Sequence, residues 1–195
     1  MPSPPRLVLA STSRYRRELL ARLCVPFETF APDVDESPVA GETPSELAMR
    51  LACAKARAAQ AACPDALIIG CDQVAVADTT LLNKPGGYDK ALEQLTLMSG
   101  RPVAFYTAIC LLNARTSRQQ TAIAPVTVHM RKLTRIEIER YLHAEQPYDC
   151  AGSARIEGLG ITLVERLEGD DPNALIGLPL VSLCGMLRNE GMDLP

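Results

Sequence analysis

Arg14, Arg16 and Arg17 follow directly on Ser11, Thr12 and Ser13, and the leucine spacing Leu19, Leu20, Leu23 begins at once. Hydroxyl residues ahead of that pattern suit a helix N-cap. The arginines do not, because a helix N-terminus carries partial positive charge and favours Asp or Glu. Cations gathered there call for an anion. A strand, a hydroxyl-rich loop and a helix N-terminus together offer backbone N–H groups to phosphate, and arginine adds a planar fork for phosphate oxygens. Arg16 lies three, four and seven residues before Leu19, Leu20 and Leu23 and so shares their apolar stripe. An arginine in that place either snorkels to solvent or points into a cleft.

Other charged residues stand where the surrounding pattern is apolar. Lys55 follows Leu47 and Leu51 at four-residue steps, each drifting only about 40° around a helix; snorkelling is its plain structural alternative. Asp72 comes after the run Ala66 to Cys71, and a carboxylate beside a buried strand needs a cap role, an ion pair or a metal. Asp33, Asp35 and Glu36 form an acidic loop, and Lys84 precedes Pro85 in a turn segment. Such a set suits a metal–triphosphate complex, with carboxylates for Mg²⁺ or Mn²⁺ and cations for the phosphates. Spacing alone leaves the structural alternatives open. The chain has no G-x-x-x-x-G-K-[ST] or G-x-G-x-x-G motif. It has only His129 and His143 and no G-x-S-x-G, which argues against a histidine-triad hydrolase.

The elements that must position these residues follow from the same pattern. RLVLA, from Arg6 to Ala10, reads as a buried strand feeding the first helix, and Phe27 to Phe30 as a second strand. TPSE at 43–46 is a capping box with proline at the first helical position, opening an Ala-rich helix to about Cys63. ALIIGCDQVAVA is strand-like with a glycine in the middle; LLNKPGGYD is a turn, and Asp89 caps a helix to about Met98. Val103–Leu112 and Ala122–Met130, joined by NARTSRQQ, form a hairpin signature. TRIE at 134–137 is a second capping box, for a helix to about Glu145. Ile161–Glu165 reads as a strand, DDPN as a turn and Leu178–Asn189 as a closing helix. Helices and strands mix without strict alternation, so the expectation is one α/β domain over residues 1–195 built on a mixed sheet.

Composition narrows the function. The net charge of −3 gives no general attraction to nucleic acid or anionic membrane. The seven cysteines form no C-x-x-C and no Cys/His cluster, which argues against a zinc site and a disulfide framework and suits a reducing cytosol. MPSPPRLVLAS lacks the apolar core of a signal peptide. No apolar run approaches the roughly 20 residues of a membrane span. A cytoplasmic protein is expected.

With these residues in order, the chain resembles the Maf nucleotide pyrophosphatases. LASTSRYRRELL is similar to the family's opening S-x-S-x-x-R-x-x-L motif, and DVDES, RLACAKA, GCDQV, NKP, CAGSARIEGLG and GDDPNALIGLPL follow in the family's order from Leu7 to about Arg188. The resemblance implies a mixed twisted sheet flanked by helices, in two lobes with a cleft, similar to inosine triphosphate pyrophosphatases. It further implies a cytoplasmic, often dimeric, enzyme dependent on a divalent cation such as Mg²⁺ or Mn²⁺. Its reaction is hydrolysis of a nucleoside triphosphate to monophosphate and pyrophosphate. Carried over by position, Ser11 and Arg16 are implied to bind phosphate. Glu36, Lys55, Asp72 and Lys84 complete the catalytic set, with Asp72 as proton acceptor and Glu36 and Asp72 on the metal. Arg14 departs from the proline of many members.

Three further positions imply the base. The branch acting on dTTP and UTP has Arg, Thr and Gln where this chain has Tyr15, Gln73 and Glu157, and an aromatic residue, Gln and Glu resemble the 7-methyl-GTP branch. Methylation at N7 makes guanine cationic, which favours an aromatic face and a nearby carboxylate. The expected substrate is therefore 7-methyl-GTP. The alternatives are dTTP, UTP or another non-standard nucleotide, and, from a different class, a nucleotide-binding regulator of cell division.

Overall fold

The structure, a computed structural model, describes residues 5–194; the first four residues of the N-terminal stretch, and Pro195, lie outside it. Two compact units divide the chain. The first runs to Gln73 and adds Thr107–Ala124 and the residues from Asp171 onward; the second comprises Val74–Tyr106 and Pro125–Asp170. Among the described residues one mixed sheet of seven strands runs in the order β2 (Glu28–Phe30), β1 (Leu7–Ala10), β3 (Leu67–Ala77), β5 (Pro102–Asn113), β6 (Arg118–Met130) and β7 (Val164–Glu168), with β4 (Thr80–Leu82) paired to β3.

In the first unit, β1 (Leu7–Ala10) lies parallel to both β2 (Glu28–Phe30) and β3 (Leu67–Ala77), with Ala10 opposite Gly70. Side chains alternate across a strand. The odd-numbered set Leu7, Leu9, Leu67, Ile69 and Cys71 joins Leu19 and Leu20 of α1 (Arg14–Ala21) and Leu183 and Leu187 of α5 (Leu180–Asn189) in one buried core. The even-numbered Gly70 meets α2 (Pro44–Ala58) instead: a Cβ on Gly70 would lie 2.0 Å from the Ala52 carbonyl oxygen and 2.6 Å from the Ala56 nitrogen. Only a glycine lets helix and strand backbones approach so closely.

The second unit holds β4 (Thr80–Leu82), α3 (Tyr88–Met98), α4 (Arg135–Glu145) and β7 (Val164–Glu168), with parts of β3, β5 (Pro102–Asn113) and β6 (Arg118–Met130). β7 pairs antiparallel to β6. The Tyr88 and His143 rings stack at 5.4 Å between centroids, tying α3 to α4.

Both capping boxes form as the sequence implies: the Thr43 and Thr134 side chains accept from the backbone of Glu46 and Glu137, which reach back to the cap nitrogens. Elsewhere the boundaries move. α2 ends at Ala58 rather than near Cys63. Gly87, not Asp89, is the N-cap of α3; Asp89 sits in the first turn, where its charge suits the helix dipole. LLNKPGGYD is not all turn, because β4 takes Leu81 and Leu82 as an antiparallel partner of β3. A 3-10 turn over Leu159–Leu163 uses up the start of the expected strand, so β7 begins at Val164. α5 begins at Leu180, two residues late, and the buried Asp171 carboxylate accepts from Val181 N–H at 2.7 Å to serve its first turn.

Candidate active site

β1 ends at Ala10, and Ser11 turns the chain into α1. The Ser11 hydroxyl is buried and accepts from the Ser13 backbone N–H at 3.1 Å, while Ser13 caps α1 by accepting from Arg16 N–H at 3.4 Å. The Arg16 guanidinium turns inward: Nε donates to the Gly177 carbonyl at 2.9 Å, and Nη1 stands 3.5 Å from Ser11 Oγ. Arg17 is exposed. No acidic residue occupies the first turn of α1, so the dipole and Arg16 act in the same direction on an anion.

The second cluster follows from the close contact at Gly70. Asp72 is the next residue on that face of β3, and Lys55 lies on α2 between Ala52 and Ala56, which touch Gly70. Lys55 and Asp72 are 7% and 8% exposed, and Lys55 Nζ meets Asp72 Oδ1 at 2.5 Å. Nζ also reaches Glu36 Oε1 at 2.6 Å, on a carboxylate that remains largely exposed. One buried ammonium thus holds two carboxylates, no further apart than those two distances together. The alternative of snorkelling to solvent does not apply to Lys55.

Arg50, a turn earlier on α2, fixes the acidic loop. It grips Glu42 at 2.7 and 2.9 Å and donates to the Ser37 carbonyl at 2.9 Å. This pairing holds the Glu42 carboxyl below its ordinary range, and the Ser37 N–H does the same for Asp35. Among the described residues no three His, Cys, Asp or Glu side chains group as a metal cage. Mg²⁺ is commonly held by one or two carboxylates together with substrate phosphates. Glu36 and Asp72, joined through Lys55, are two carboxylates, within the number of hard oxygen ligands such a site takes from the protein.

Tyr15 lies on the first turn of α1 with the Arg14 guanidinium 4.6 Å over its ring and Arg14 Nη2 donating to its hydroxyl at 2.6 Å. One face of the ring already carries a cation. Gln73 follows Asp72 on β3 and so points to the opposite face. Its Nε2 is directed at Thr107 Oγ1 and at the carbonyls of Ala174 and Leu175, at 2.9, 3.0 and 3.1 Å.

Lys84 and Glu157 belong to the second unit. Lys84 is exposed on the turn after β4. Glu157 rides on a turn fastened to α4: Glu145 accepts from Arg155 Nη1 and from Leu159 N–H, both at 2.7 Å, and Arg155 Nε stands 3.4 Å from Glu157. The structure therefore brings Ser11 to Arg16, and Glu36 to Lys55 and Asp72.

The sequence reading missed several residues that hold these groups. Gly70 had a signal, since an isolated glycine inside a strand pattern often marks close backbone approach. Thr107 and Gly177 had none, because their partners lie far away in the chain.

A hydroxyl turn after β1 with an inward arginine, and a buried acid–ammonium–acid cluster where α2 meets β3, gather polar side chains on the first unit of this α/β protein. The Maf-like protein family model matches residues 6–190, and the chain belongs to that family. A protein of Thiobacillus denitrificans named 7-methyl-GTP pyrophosphatase is 58% identical, the match covering 97% of this chain and 94% of that one. One of the same name from Methylobacillus flagellatus is 56% identical, over 97% and 98%. A solved HAM1 protein from Coxiella burnetii is similar at 14% identity with a TM-score of 0.46, over 66% of this chain and 74% of that one. No described helix is long and apolar enough to cross a membrane.

Proposed function

We propose that the protein is a nucleotide pyrophosphatase that hydrolyses 7-methyl-GTP to 7-methyl-GMP and pyrophosphate. One observation carries the reading: over nearly its whole length the chain is more than half identical to proteins of that name.

The chemistry fits the residues. Water adds to phosphorus at the α–β anhydride, the bridging P–O bond breaks, and the electron pair leaves with pyrophosphate. Asp72 accepts the proton of the attacking water, and Lys55 fixes the direction of that carboxylate. Arg16 and Ser11, with the N-terminus of α1, hold the phosphate oxygens; for Lys84 the family resemblance alone supplies a catalytic role. A divalent cation bound with the triphosphate by Glu36 and Asp72 would offset charge on the phosphoryl oxygens. The family resemblance assigns the cationic base to Tyr15, and gives Glu157 the guanine donor edge. The family resemblance extends the proposal to a cytoplasmic homodimer, which light scattering on the purified chain tests for assembly.

Pyrophosphate release from 7-methyl-GTP, GTP, dTTP and UTP, with wild type and Tyr15→Leu, tests the reading. Wild type should prefer 7-methyl-GTP. Tyr15→Leu should lower the preference over GTP by about 0.5–2 kcal/mol, roughly two- to thirtyfold. A wild type preferring dTTP or UTP refutes the base, and a wild type that binds nucleotide without turnover refutes the enzyme.

A further inference from the structure

Gln73 is, by family resemblance, a residue that selects the base, yet its side chain is committed elsewhere. Its amide nitrogen has three acceptors within 3.1 Å: the Thr107 hydroxyl and the carbonyls of Ala174 and Leu175. Thr107 is fully buried and itself donates to the Ala174 carbonyl at 2.8 Å. The two side chains from neighbouring strands therefore grip one point of the Asp171–Leu178 segment. Three residues on, Gly177 adopts φ +123°, where a side chain would be strained, and a Cβ there would stand 3.5 Å from Arg16 Nε. Its carbonyl accepts from Arg16 Nε at 2.9 Å and from the Cys71 thiol at 3.0 Å. Burial pushes that thiol up to about 11, so it stays protonated and able to donate. Arg22, the C-cap of α1, donates from Nη1 to Asn173 Oδ1 at 3.2 Å and adds a tie to the same segment.

We propose that Gln73 and Thr107 are positioning residues: they hold Ala174–Gly177, and through the Gly177 carbonyl they aim the Arg16 guanidinium at the phosphate chain. The inference rests on the reading of Arg16 as a phosphate ligand. The adjacent strand positions 72 and 73 thereby divide the work, Asp72 facing the α2 cluster and Gln73 the segment that orients the arginine. The base is then read without direct help from Gln73.

Inorganic tripolyphosphate, which has no base, separates the two roles. Binding is measured by calorimetry on wild type, Gln73→Met, Arg16→Ala and the double variant, and kcat/KM on the nucleotide panel. Gln73→Met should weaken tripolyphosphate binding by at least about tenfold, since sub-ångström placement governs such sites. It should lower kcat/KM for every nucleotide by one factor, and add nothing in the Arg16→Ala background. Unchanged tripolyphosphate binding with an altered base preference would overturn the proposal, as would full additivity with Arg16→Ala. Thr107→Val and Thr107→Ser give the same test should Gln73→Met fail to fold. Val should lose the binding and Ser keep it, and two variants equal to wild type would overturn the proposal. A wild type that binds tripolyphosphate but releases no pyrophosphate from 7-methyl-GTP sinks the proposed function and leaves this inference standing.

Discussion

Replacing Gly70 by alanine adds one methyl group at the point where β3 touches α2. The new Cβ would lie 2.0 Å from the Ala52 carbonyl oxygen, 2.6 Å from the Ala56 nitrogen and 2.9 Å from the Ala56 Cβ. Two of these three atoms belong to the backbone, so no rotamer change relieves the overlap. Contacts of carbon with a carbonyl oxygen relax only at roughly 3.3 Å, so α2 must retreat from β3 by about 1 Å or more. Overpacking of this kind costs about 1–3 kcal/mol. For a chain of this size that corresponds to a fall of roughly 2–12 °C in Tm.

The same retreat carries Lys55 away from Asp72. The contact of 2.5 Å would open to about 3.5 Å, beyond hydrogen-bond range, unless Lys55 stretches into a strained rotamer at about 0.5–1.5 kcal/mol. Misplacement of a catalytic group by about 1 Å can cost on the order of 100-fold in rate. Gly70→Ala should therefore lower both Tm and kcat/KM for 7-methyl-GTP. Gly185→Ala is the control: that glycine lies inside α5 with nothing within 4 Å of a Cβ, so alanine there should stabilise by up to about 1 kcal/mol and leave activity alone. A Gly70→Ala protein with the wild-type Tm and kcat/KM would refute the claim that this backbone contact sets the Lys55–Asp72 geometry.

Asp72→Asn should reduce kcat by about 10²–10⁴-fold, as removal of a general base does, while tripolyphosphate binding changes little; a near wild-type kcat removes Asp72 from that role. Arg16→Ala should weaken triphosphate binding far more than Arg17→Ala, because Arg16 turns in to Ser11 and Gly177 while Arg17 is exposed; equal losses in titrations would contradict this. Exhaustive chelation should abolish pyrophosphate release and added Mg²⁺ or Mn²⁺ restore it, and full turnover in excess chelator would take the cation out of the proposal. Glu137 in the α4 capping box is held down to about 2, first by the Thr134 N–H and hydroxyl and then by Arg131. Its folded pKa lies below its unfolded one, so its stabilisation is present above about pH 4.5 and is lost as pH falls towards 2. Glu137→Gln keeps the box and should flatten the pH dependence of stability in that window, and an unchanged slope on acid titration would count against the assignment.

What the sequence made legible was what lies close in the chain. The capping boxes at Thr43 and Thr134 are built within four residues, and the place of Arg16 on the leucine stripe left two outcomes, of which the structure shows the inward turn. Lys55 and Asp72 stood out by type, as charges where the pattern is apolar. Their pairing did not, because it depends on how α2 lies on β3, and Gly70 sets that contact through backbone atoms of Ala52 and Ala56. Boundaries failed where tertiary partners decide them: β4 exists because β3 is there to pair with it, and α5 starts at Leu180 on a carboxylate nine residues upstream. Lys84 and Glu157 carry family motifs, but nothing in their local sequence gives the fastening of Glu157 through Arg155 and Glu145. Gln73 is the instructive case. Position by position it matches a residue of base selection, and the strand period alone requires that it face away from its neighbour Asp72. A motif of consecutive residues on a strand serves two faces. GCDQV therefore has to be read as Gly70 and Asp72 working with α2, and Cys71 and Gln73 working with the segment that ends at Gly177.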